Sequence, residues 1–248
     1  MTFLRLARAE LRKLTTTKMP WGFLAVLIVI SATTAAAVIW GADADGSKAF
    51  IASAADQRSL MAFALNAMIV AALFGAIAVS REYAHGTVVP TMLISPRRHR
   101  AVLAQYVAVA VGGGLLGLFG AALTGAAAAV SLPIVDYDFM VSAGALAQVM
   151  AASAFAGASG AVLGAGIGTI VRNMGGAVAG AVLLLFVVPP IVVQLAPKAI
   201  SWVPGALANV LSGVGGEVGI LSALATVAAW GVVPAAVGLV LVQRRDVV

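Results

Sequence analysis

Few residues in this chain have the type and spacing for chemistry. The two histidines, His85 and His99, do not form a metal-ligand pair on one helix face, and no carboxylate lies within an apolar run to pair with either. Four lysines follow Arg12, Thr17, Ser47 and Pro197, so the Gly-Lys step of a phosphate-cradling loop is missing. Cysteine is absent, which removes thiolate metal sites and disulfides. No catalytic residue, metal ligand or cofactor site is expected in this chain. Any nucleotide chemistry must come from another one.

The most informative polar stretch runs Ser80-Arg81-Glu82-Tyr83-Ala84-His85-Gly86-Thr87-Val88-Val89-Pro90 and on to Ser95-Pro96-Arg97-Arg98-His99-Arg100. Arg81 and Glu82 are expected to end an apolar span at headgroup level. Gly86 permits a change of direction, and Thr87 can cap a short helix that tolerates Pro90 in its first turn. Pro96 stops that helix, and Arg97, Arg98 and Arg100 anchor the next span. An ordinary basic loop would explain the arginines but not the Glu-Tyr, Gly-Thr and Pro-Arg punctuation.

The elements that must position this stretch follow from composition. The 248 residues are 62% hydrophobic and 10% charged, against about 25% charged in an ordinary soluble domain. With a mean hydropathy of +1.08, a soluble enzyme, a nucleic-acid module and a disordered chain are all excluded. A membrane helix needs about 20 apolar residues. Six runs qualify, at Met19–Trp40, Ser59–Ser80, Ala101–Ser131, Ala143–Val171, Asn173–Ala196 and Val218–Val242, and none holds Asp, Glu, Lys or Arg. Backbone groups must be satisfied internally in lipid, and the runs lack period-2 alternation, so helices rather than a barrel are expected. The fold class is all-α, a polytopic bundle of six transmembrane helices forming a single transmembrane domain over 1–248.

Charge sets the orientation. Arg5, Arg8, Arg12, Lys13, Lys18, Arg81, Arg97, Arg98, Arg100, Arg172, Arg244 and Arg245 fall on one side, leaving Lys48, Arg58 and Lys198 with six of the nine acids on the other. Basic loops stay inside, so both termini are expected in the cytoplasm. This distribution accounts for the net charge of +6 without a nucleic-acid partner. Residues 1–18, where Phe3, Leu4, Leu6, Ala7 and Leu11 alternate with basic residues, read as an amphipathic helix on the inner leaflet. The apolar run that follows is too long for a signal-peptide core of about 7–15 residues, so an uncleaved first span is expected. Pro197 to Leu211 is apolar yet too short to cross and reads as a re-entrant or external helical piece with Trp202 at headgroup level. Pro189-Pro190 should bend or break the fifth span. Small residues every fourth position, Gly113, Gly117, Ala121, Gly125 and Ala129 on the third span and Ala156, Gly160, Gly164 and Gly168 on the fourth, mark faces for close helix packing within the bundle.

In its Arg81-Glu82-Tyr83, Gly86-Thr87 and Pro96-Arg97 steps the chain resembles the ABC-2 type family of ABC-transporter permeases. Ala9-Glu10-Leu11-Arg12-Lys13-Leu14, Val171-Arg172-Asn173, Trp202-Val203-Pro204-Gly205 and Arg244-Arg245-Asp246-Val247 are similar to further family features, in order along a six-span plan. The resemblance implies a permease subunit in a bacterial inner membrane. It implies pairing with a second permease subunit and with separate ABC ATPase subunits that carry ATP and Mg. It also implies that 81–100 is a cytoplasmic coupling loop in which Arg81, Glu82, Tyr83, Gly86 and Thr87 transmit ATPase closure to the helices. Relatives often carry an acid near the end of the fifth span, where this chain has Pro189-Pro190, so no substrate role carries over there.

Two rivals remain: a secondary carrier or channel without an ATPase, and a non-transporting scaffold or immunity-type protein. The lack of ionisable groups within the spans counts against proton-coupled carriers, though sodium sites of carbonyls and hydroxyls stay open. A neighbouring coding sequence with Gly-x-x-x-x-Gly-Lys-Ser/Thr would discriminate among the three. The six-span topology makes a direct prediction: single cysteines at positions 48 and 138 react with impermeant thiol reagents only from outside the cell, and labelling of either from the cytoplasm alone would overturn it.

Overall fold

The computed structural model describes residues 3–86 and 98–244. Among them there is no strand, and six helices are long and apolar enough to cross a membrane. α1 (Phe3–Thr16) precedes the first span, α2 (Met19–Trp40). The short α3 (Ala54–Leu60) leads into α4 (Ala64–Ala84), the second span. α5 (Arg98–Ser131) and α6 (Ala143–Val171) are the third and fourth. The fifth is α7 (Met174–Val182) continued by α8 (Val188–Leu195). α9 (Pro204–Ser212) is short, and α10 (Ile220–Arg244) is the sixth span.

Burial ranks the spans. Two-thirds (67%) of the apolar window is buried in both the second and the fourth spans, against 17% in the first and fifth. α6 is therefore the hub, packed against α4, α5 and α10, while α2 and the fifth span face outward. In lipid, apolar side chains gain nothing by leaving the solvent, so helices associate through close backbone packing. The expected glycine faces supply it. A Cβ on Gly160 or Gly164 would collide with the carbonyl oxygen of Met68 or Ala72 on α4, and one on Gly168 would lie 3.1 Å from that of Ala76. Gly75 meets the Ala161 carbonyl in return. On the α5 side, Gly113 and Gly157 each abut the other's carbonyl, and Gly117 abuts that of Ser153. A third contact was not anticipated: Gly166 and Gly231 bring α6 against α10, with a Cβ on Gly231 only 2.5 Å from the Ser159 oxygen. Ala129, expected on the α5 face, is exposed instead, while its neighbour Ala128 is buried.

Polar side chains cross-link the spans. Ser31 on α2 and Thr124 on α5 share a 3.1 Å hydrogen bond, and the Tyr106 hydroxyl donates to Thr169 on α6 at 3.0 Å. Phe23 and Phe74 meet edge to face at 5.5 Å between centroids.

The first and fourth spans coincide with the hydropathy runs. The second does not. Its run was expected from Ser59, but Met61–Phe63 break the helix, and Ser53 caps the separate α3 through a reciprocal bond set with Asp56. In the fifth span the helix does not break at Pro189-Pro190. Leu183–Val187 widen into a π turn in which the Val188 N–H reaches the Leu183 carbonyl, and the prolines then occupy the first turn of α8, where a helix tolerates proline. Pro197–Trp202 form a 3-10 turn, and α9 buries Leu207, Ala208 and Leu211 beside the second, fourth and sixth spans. Trp202 stays 47% exposed.

At the end of the bundle away from α1, three connections are stitched together. Gln57 is fully buried and donates from Nε2 to the carbonyls of Ile51 and Asp138, while its Oε1 accepts from the Met140 N–H. Arg58 donates to the Ser212 carbonyl at 2.8 Å and to Gln148 at 2.6 Å, and Gln148 reaches the Leu211 carbonyl. Arg58 and Gln148 thus satisfy the last carbonyls of α9.

The packing predicts a sharp positional contrast. Gly164→Leu, forced into the Ala72 carbonyl, should cost at least the roughly 1–3 kcal/mol of an overpacked core and lower the unfolding midpoint in detergent. Gly144→Ala, with open space around its Cβ, should leave that midpoint within error.

Candidate functional site

The last turn of α4 carries Arg81, Glu82 and Tyr83, and each neighbour along this turn points to a different element. Successive helical residues are separated by about 100°, so three in a row cannot share a face. Glu82 turns toward α1. Lys13 Nζ donates to Glu82 at 3.2 Å and to Glu10 at 2.7 Å, joining the N-terminal helix to the root of the loop. Tyr83 turns toward α6. The guanidinium of Arg172, in the two-residue link after α6, sits 5.5 Å from the Tyr83 ring centroid, within range of a cation–π contact. Arg81 helps line a cavity of about 540 Å³ between α1, α4 and the start of α5, together with Lys13, Thr17, Glu82, His85 and Gln105.

α4 ends just beyond. His85 donates its backbone N–H to the Arg81 carbonyl, and its Nδ1 lies 2.9 Å from the same oxygen, so the ring serves as a C-terminal cap. Gly86 follows at φ +68° and donates to the Tyr83 carbonyl. That left-handed conformation is the change of direction expected of it. Thr87, Pro90 and the rest of 87–97 lie outside the described residues, as do Arg245 and the side chain of Arg98, so the short helix expected between Gly86 and Arg98 belongs to that segment. Of the five residues singled out in the loop, Glu82 and Tyr83 are engaged across elements, Arg81 faces the cavity, and Gly86 makes the turn.

α1 is amphipathic as expected, but its inward face differs from the apolar list read from sequence. Leu6 and Ala7 pack on Ala104 of α5, and Glu10 beside them is only 6% exposed. Phe3 and Leu4 are exposed. A nearly buried carboxylate on an interfacial helix needs a partner, and Lys13, three residues on, supplies it. Burial works against the Lys13 ammonium, yet the hydrogen bond to Glu10 and the charges of Glu82 and Glu10 outweigh it and hold its pKa above the usual lysine value. The Lys13 ammonium is therefore charged at neutral pH. The hint in the sequence was the Glu10–Lys13 spacing on the same face as Leu6 and Leu14.

Arg172 and Asn173 have roles that spacing did not reveal. Arg172 adopts φ +56° and closes α6 through its N–H to the Gly168 carbonyl, and Asn173 caps α7 by accepting from Gly176 at 3.0 Å. Asn173 and Gln148 are thus both taken up in satisfying helix ends.

Comparison with known proteins yields no matching protein-family model and no match among curated proteins.

The Lys13 bridge predicts a lesion that a second substitution partly repairs. Lys13→Met removes the ammonium that bridges Glu10 and Glu82 and should cost on the order of 1 kcal/mol at neutral pH, a modest figure because Lys13 is half exposed. Adding Glu82→Gln should recover part of that loss by removing the like-charge contact with Glu10. Detergent unfolding midpoints of the native chain and the two variants at neutral pH check this.

Proposed function

We propose that this chain is the membrane-spanning permease subunit of an ATP-driven ABC-2 type exporter. On this reading it sits in a bacterial inner membrane with both termini in the cytoplasm and pairs with a second permease subunit to form the substrate pathway. Separate ABC ATPase subunits, carrying ATP and Mg, dock on the loop after the second span. The observation that carries the reading is the knot at the root of that loop. Glu82 is held by Lys13 of α1, and Tyr83 by Arg172 at the turn between the fourth and fifth spans. A push on the loop would therefore reach three helices at once, which a simple connector has no need to do. The motif order and the basic character of this end of the bundle support the same assignment.

Gly86 then serves as the hinge where the loop leaves the bundle, and Arg81, Glu82, Tyr83, Gly86 and Thr87 form the coupling element. Proline fixes φ near −65°, incompatible with the +68° of Gly86. Gly86→Pro and Glu82→Ala should both reach the membrane at near-normal levels, since the flanking spans carry the insertion signal, while losing substrate flux and ATPase co-purification, Gly86→Pro more severely. Full flux and full association in both would remove the coupling assignment. The purified chain alone should not turn over ATP; stoichiometric hydrolysis by the partner-free polypeptide would contradict the half-transporter reading.

A further inference from the structure

Where α1 turns into the first span, the helices leave a groove that the transport reading does not use. Its volume is about 260 Å³, and its walls are almost wholly apolar: Leu11 and Leu14 of α1, Trp21 and Leu24 of α2, Phe74 of α4, and Val111 of α5. Gly112 forms part of the floor, where a Cβ would crowd the Phe74 ring at 2.9 Å. One side opens outward, and Trp21 at its rim is 70% exposed.

Three cations border this groove. Arg8 and Arg12 lie three residues before Leu11 and Thr15, on the flank of α1 that carries the groove wall, and Lys18 stands at the elbow itself. All three are exposed, and among the described residues neither acid of the neighbouring bridge pairs with them, since Glu10 and Glu82 are taken by Lys13. α2 starts at Lys18 without a side-chain cap, which adds to the positive field there. An apolar slot under uncompensated positive charge, at the junction of an interfacial helix and a span, matches one kind of molecule: an acyl chain carrying an anionic headgroup. A second copy of this chain fits poorly, because a twofold contact would set Arg8, Arg12 and Lys18 against their own counterparts.

The geometry points to a binding site for one anionic phospholipid at the α1–α2 elbow, its acyl chain in the groove and its phosphate among Arg8, Arg12 and Lys18. Such a lipid pins the interfacial helix to the first span, as the Lys13 bridge pins it to the second. The site is independent of what the protein transports and of whether an ATPase docks on it.

Trp21 reports occupancy directly. The full chain with Trp40, Trp202 and Trp230 replaced by Phe is reconstituted in phosphatidylcholine vesicles with a small fraction of acyl-brominated phosphatidylglycerol or acyl-brominated phosphatidylcholine, and quenching is titrated. The brominated phosphatidylglycerol should quench Trp21 with a several-fold higher apparent affinity. A chain retaining only Trp40, at the far end of the same span, should show no such preference. Arg8→Gln/Arg12→Gln/Lys18→Gln should bring the two lipids to equal quenching, and Val111→Phe, which fills the groove without touching the charges, should weaken the phosphatidylglycerol effect. Equal quenching of Trp21 by the two lipids in the otherwise native chain overturns the site. So does absent quenching, which would place protein over Trp21. An unchanged preference in the Val111→Phe chain would also overturn it, reducing the effect to diffuse adsorption on a basic surface.

Discussion

Everything in this bundle depends on how closely other backbones approach α6. The carbonyls of Met68, Ala72 and Ala76 stand opposite Gly160, Gly164 and Gly168 at intervals of one helical turn; at Gly160 and Gly164 only hydrogen leaves room for them, and at Gly168 a Cβ would be tight. In lipid, where apolar side chains alone give no drive to associate, such contacts are the principal means of holding helices together. They fix register as well as distance, because sliding α4 would carry its carbonyls out of line with the α6 glycines and Gly75 away from the Ala161 carbonyl. α5 and α10 are seated on the same helix in the same manner, through Gly113 and Gly157 on one side and Gly166 and Gly231 on the other.

With four spans locked at the centre, the two ends of the molecule take on different jobs. At one end Gln57, Arg58 and Gln148 tie three connections together through backbone carbonyls, an arrangement that closes that end. At the basic end the ties among the described residues include Lys13 to Glu82 and Arg172 over Tyr83. Both begin from neighbouring residues on the last turn of α4, itself held against α6. A displacement of the chain after Gly86 thus acts on a rigid pair of helices and, through Lys13, on α1. This is the mechanical content of the proposed coupling element, and it requires no residue that performs chemistry within the chain.

The sequence made the membrane plan legible because span length and hydropathy are properties of continuous residues. The runs expected at about Met19–Trp40 and Ala143–Val171 coincide with the observed helices, and the four-residue glycine spacing identified α6's packing faces before any neighbour was known. Contacts that join distant segments could not be seen in this way. Nothing local distinguishes Arg58 from a loop arginine or Arg172 from a positive-inside residue; their partners, Ser212 and Tyr83, are 154 and 89 positions away. The break at Met61–Phe63 was hidden because apolar residues continue through it, and the π turn at Leu183–Val187 because hydropathy does not register how a helix absorbs two prolines.

The central claim is that α1, the root of the loop after α4, and the turn after α6 form one body. The direct test is a distance distribution between spin labels at Ala9 on α1 and Met174 at the start of α7, both exposed positions, measured by pulsed electron resonance in lipid nanodiscs. The account predicts a single narrow distribution that broadens when Glu82→Gln and Tyr83→Ala cut the two ties. A broad distribution in the otherwise native chain, unchanged by cutting them, would contradict it.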